Sequence, residues 1–81
     1  MPEFKLSAET RAQRFSIDAQ IEEVERELKM RDDVFPRLVG RGDMRQPVAE
    51  FHYARMVATL RTMEWVRDNA KELRSGNLIR D

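Results

Sequence analysis

The sequence predicts an all-α chain built around an antiparallel helical hairpin, and three observations carry that expectation. Ile17, Ile21, Val24 and Leu28 recur at steps of four, three and four, the period of one helix face. Ala49, Tyr53, Met56, Leu60, Met63 and Ala70 recur at three- and four-residue steps with one gap of seven. Between the two stripes stands Gly40-Arg41-Gly42-Asp43, a turn signal too short to let the helices be anything but antiparallel neighbours.

Residues 1–15 read as a leader with scattered apolar positions (Phe4, Leu6, Phe15) and a short helix after Ser7 as one option. The hairpin unit spans 16–76. Helix one, about 17–38, opens behind Ser16, whose hydroxyl suits an N-cap, and Asp18 favours the positive end of the helix dipole. Phe35 and Leu38 extend its stripe past Pro36, which removes an amide and crowds the preceding turn. A break near Val34 is one reading. A kinked helix carried to Val39 is preferred, because Leu38 and Val39 need burial. Helix two, about 47–74, opens at Pro47, a favoured first position, and closes at Ser75-Gly76-Asn77. Residues 77–81 form a C-terminal tail.

Antiparallel register sets Ile17 and Ile21 opposite Val66, Ala70 and Leu73, and Phe35 and Leu38 opposite Ala49 and Tyr53. It also brings Arg67 near Glu22 or Glu25. The charges favour this docking, since helix one is acidic while the chain from the turn onward is basic.

With 81 residues there is room for one domain. A core of this size supplies only about 3–5 kcal/mol, so small proteins add a disulfide, a metal or a partner chain. Cysteine is absent and His52 is the single histidine, which argues against disulfides and zinc and leaves oligomerisation. No cofactor is expected. No apolar run approaches the ~20 residues of a membrane span, and the N-terminus lacks the features of a signal peptide. A soluble cytoplasmic protein is the expectation, with no membrane partner.

Helix two carries a second apolar line. Advancing by about 100° per residue from Met56 on the core face puts Trp65 on the opposite side, with Phe51, Ala54 and Ala58 close to it. Their spacing of three, four and seven is that of a heptad seam, and small alanines admit a close helix. A single hairpin covers one side of helix two, so this line calls for a cover: the leader, a second copy or a foreign protein. Phe51, Ala54, Ala58 and Trp65, flanked by Arg55 and Arg61, are the candidate interface. The expected assembly is a homo-oligomer, a dimeric four-helix bundle or coiled-coil-like pair being favoured.

Other motifs carry less. His52 lacks a nucleophile or an orienting partner for catalysis and reads as a residue at the core edge. Arg41-Gly42-Asp43 spells an adhesive tripeptide, yet Gly and Asp are ordinary turn residues there. The acidic residues of helix one read as a solvated face, and the methionines as core or interface fillers. No enzyme is expected. The alternative to a protein-binding role is a nucleic-acid-binding regulator contacting phosphate through Arg37, Arg41 and Arg45 near the turn. A zero net charge gives it little non-specific pull.

The stretch Glu25-Arg26-Glu27-Leu28-Lys29-Met30-Arg31, then Val34-Phe35-Pro36-Arg37-Leu38-Val39 and Gly42, with Ala49, Met56, Ala58, Leu60 and Met63 beyond, resembles a group of small helical proteins encoded in bacteriophage and prophage genomes. The resemblance covers about residues 16–66. The chain departs from it in Phe35, where tyrosine is common, and in Pro47. It implies a phage-type product acting in a bacterial cytoplasm and brings no activity with it. A host or phage protein as partner, with this chain as a host-directed inhibitor or adaptor, suits that setting.

Overall fold

The computed structural model describes residues 5–76, so Phe4 of the leader and the tail 77–81 lie outside the described residues. The chain is all-α, with no strand among those residues. A short α1 (Ala8–Ala12) precedes two long helices, α2 (Ile17–Gly40) and α3 (Gln46–Asp68), and a final α4 (Ala70–Ser75). The long helices pack against each other as the hairpin, whereas α1 packs against none of the other helices.

Local chemistry explains each boundary. The Ser7 hydroxyl accepts from the Thr10 amide at 3.1 Å and so caps α1. Ser16 does the same for α2, accepting from the Ala19 amide at 3.1 Å, while the Gln20 side chain donates to the Phe15 carbonyl at 3.1 Å. Helix α2 runs without a break through Pro36 to Gly40. The proline costs the bond its amide would have made to the Asp32 carbonyl, and only four residues of the helix lie beyond it. Arg37 braces this stretch, donating to the Asp33 carbonyl at 3.2 Å and to its carboxylate at 2.8 Å.

The stop is a Schellman turn. The Asp43 amide donates to the Leu38 carbonyl at 2.9 Å and the Gly42 amide to that of Val39 at 3.0 Å. Gly42 supplies the required left-handed torsion, φ 80°. Within the adhesive-looking tripeptide, therefore, Gly42 turns the chain and Asp43 pairs with Arg41 at 3.2 Å.

Helix two departs from the continuous element expected. It is interrupted at Asn69 (φ −112°, ψ 16°), whose side-chain amide donates to the Trp65 carbonyl at 2.8 Å. Asparagine competes for backbone partners in this way and loosens the helix. Beyond it α4 touches α3 alone. Ala70 and Leu73 thus do not face Ile17 and Ile21, contrary to the expected register. Arg67 likewise pairs with its neighbour Asp68 at 3.0 Å and not with Glu22 or Glu25. Hydrogen bonding to Asp68, then the charge of Asp68, raises the Arg67 pKa, with smaller contributions from Glu64 and Asp18.

At the turn end the register is as expected for Phe35, which shares a cleft with Ala49 and Tyr53. Only Ile21 and Ala49 are buried apolar residues among those described. The remaining stripe residues of both helices are half-buried. The chain measures 50 × 33 × 20 Å, with a radius of gyration of 17.1 Å against about 12 Å for a compact domain of this length. Its accessible surface is 7210 Å², where a folded monomer of this mass exposes about 5,100 Å².

Candidate functional site

Three surfaces could carry function. The first is the outer line of α3. Phe51 and Trp65 are 59% and 50% exposed, and Ala54, Arg55, Ala58 and Arg61 are exposed beside them. Phe51 is held in place by its neighbours: the Arg55 guanidinium lies 5.3 Å from its ring centroid, and the His52 ring meets it edge-on at 5.8 Å. At an exposed site a cation–π contact contributes roughly 0.5–1 kcal/mol. Thr59 and Thr62 turn their hydroxyls back onto the Arg55 and Ala58 carbonyls at 2.9 and 3.1 Å. Both hydroxyls are therefore satisfied within the helix. Helix α1 does not cover it, so the described part of the leader, with Leu6 and Phe15 themselves exposed, gives no shelter.

The second surface is an open cleft of about 580 Å³ between α2 and α3 at the turn end. Phe35, Pro36, Val39, Ala49, Tyr53 and Ala54 give it an apolar floor, and Arg31, Asp32, Gln46 and Glu50 a polar rim. Hydrogen bonding toward Asp32, then partial burial, then the Asp32 charge raise the Tyr53 phenol above its usual value of 10.0. Ala54 belongs both to this cleft and to the outer line.

Arg31 ties the two helices at the cleft and was not singled out from the sequence. Its guanidinium donates to the His52 carbonyl at 3.0 Å and to Glu27 at 3.3 Å, and lies 5.6 Å from the Phe35 ring. The signal was present, because Arg31 falls three residues after Leu28 and four before Phe35, inside the apolar stripe. His52 is exposed, not at the core edge, and its backbone rather than its imidazole makes the cross-helix bond.

The third surface is the basic turn. Arg37 is paired with Asp33 at 2.8 Å and Arg41 with Asp43 at 3.2 Å, which leaves Arg45 as the member of that set without an ion pair among the described residues. No cluster of three or more metal-ligating side chains occurs among the described residues. Nor is any helix among them long and apolar enough to cross a membrane. No protein-family model, curated protein or solved structure matches the chain.

Proposed function

We propose that this chain is a small, phage-type, non-enzymatic protein-interaction module that works in a bacterial cytoplasm and docks a helix of another chain on the outer line of α3. The observation that carries the reading is the contrast between two buried apolar residues, Ile21 on α2 and Ala49 on α3, and the exposed Phe51 and Trp65 on the far side of α3. Covering an aromatic side chain contributes roughly 1.5–3 kcal/mol, and interfaces concentrate their energy in such anchors. Ala54 and Ala58 between them allow a partner helix to approach closely. A host-directed inhibitor or adaptor is the role that fits the sequence resemblance.

Phosphate binding at the turn is the weaker reading, since Arg37 and Arg41 are already engaged by acids of the same chain. Replacing both Phe51 and Trp65 by alanine tests the proposal. Circular dichroism should retain the helical signal, while every association seen by sedimentation or co-purification is lost. Unchanged association in that variant sinks the reading. Duplex-DNA binding that weakens steeply with salt and disappears with Arg37, Arg41 and Arg45 would replace it.

A further inference from the structure

We propose that the cleft at the turn end of the hairpin docks an amphipathic helix whose apolar stripe is flanked on both sides by Lys or Arg. This site is separate from the outer line of α3 and goes beyond the interaction reading above. Its shape is a trough between two rods. One wall is α2 from Arg31 to Gly40 and the other is α3 from Gln46 to Ala54, ~13 Å and ~12 Å long at the rise of an α-helix. About two and a half turns of a third helix have that length. Ala49 is buried at the floor, while Phe35 and Val39 are half-buried and still expose apolar surface. A small ligand needs a concavity that encloses most of its surface. An open trough suits a helix laid lengthwise, with its apolar face down.

Charge specifies the occupant. The charged residues lining the cleft are Arg31, Asp32 and Glu50. Arg31 is already engaged, pairing with Glu27 at 3.3 Å and donating to the His52 carbonyl at 3.0 Å. The two carboxylates make no ion pair among the described residues. Glu50 accepts from the Gln46 side-chain amide at 3.0 Å, and the Tyr53 phenol hydrogen-bonds toward Asp32. Both of those donors are neutral and leave the carboxylate charge in place. Asp32 stands on the α2 wall and Glu50 on the α3 wall, so negative charge borders the apolar floor on both sides. An acidic helix would be repelled from both walls, whereas a helix with bases on both flanks pairs with each. The outer line of α3 has the opposite character, with Arg55 and Arg61 exposed beside Phe51 and Trp65. The two surfaces therefore select different partners.

A heteronuclear NMR titration of the full chain with two synthetic helical peptides tests the proposal. One is built of leucine and lysine and the other of leucine and glutamate, each with leucine along one face. The lysine peptide should shift the amides of Phe35, Val39, Ala49 and Tyr53, and bind at least about tenfold tighter than the glutamate peptide. Asp32→Asn/Glu50→Gln should weaken the lysine peptide by at least about fivefold and erase the preference. Gly40→Phe should obstruct the cleft and abolish binding. A Cβ at Gly40 meets no atom within 4 Å, so the added ring leaves the hairpin intact, and circular dichroism of each variant checks that it does. The Phe51→Ala/Trp65→Ala variant should bind the lysine peptide as the parent chain does, which separates failure here from failure of the outer-line reading. Shifts centred on Phe51 and Trp65 overturn the proposal. So do absence of binding, equal binding of the two peptides, and a lysine peptide indifferent to Asp32→Asn/Glu50→Gln.

Discussion

Helices α2 and α3 are nearly equal in length, 24 and 23 residues, yet they solve burial differently. In α2 the apolar residues lie mostly on one side, and the far side presents acids and bases such as Glu23 and Arg26, paired at 3.5 Å. One neighbour satisfies such a helix. In α3 the apolar residues fall on two opposite sides, one led by Ala49 and Met56, the other by Phe51 and Trp65. A hairpin can cover one of them. The outer side of α2 thus ends at water in charged residues, whereas the outer side of α3 meets water with Phe51 and Trp65 exposed.

Breaking the shared face should have the largest effect. Ile21→Ala removes the most buried apolar side chain, 5% exposed, and should lower stability by about 2–4 kcal/mol, most of what a core this small provides. Thermal or urea melts followed by circular dichroism would register it. Met30→Ala on the outer side of α2, 52% exposed, is the control and should shift the midpoint little. Next in size is Arg31→Ala, which removes the cross-helix bond to the His52 carbonyl and the contact with Phe35. A loss of about 1–2 kcal/mol is expected, and Arg31→Lys should recover only part of it because the planar fork is gone.

Trp65→Ala sharpens the comparison from the other side. In the same melts it should change stability by less than about 1 kcal/mol. A larger loss there would move Trp65 into the hairpin core and make α3 one-sided like α2. The smallest effect concerns Tyr53. Hydrogen bonding toward Asp32 raises its pKa above 10.0, so above that pH the folded chain retains the phenolic proton longer than the unfolded chain does. Stability then falls as pH rises from about 10. Tyr53→Phe should remove that component of the alkaline slope.

Much of this architecture could be read directly from residues. The apolar steps in α2 and α3, Ser16 as a cap, and glycine at the turn act within a few residues of themselves, and neighbouring side chains leave them little choice. The Phe51–Trp65 line was readable for the same reason, since a helix of known pitch fixes which residues share a side. Harder features involve competition. Asn69 could have continued helix two, and its side chain instead took the Trp65 carbonyl. Arg67 had acids on α2 within its expected reach but met Asp68 first. The cleft near Ala49 depends on the separation of two backbones, which no local pattern specifies.

The sequence by itself determined that the chain is helical, where its turn falls, and that α3 has two apolar sides, because helical period and glycine torsions are local properties. Tertiary structure decided that Pro36 is carried within α2, that Arg31 bridges the hairpin, that α1 leaves the outer line uncovered, and that α4 leaves α2. Those outcomes are set by which groups arrive within hydrogen-bonding or van der Waals distance when two helices dock.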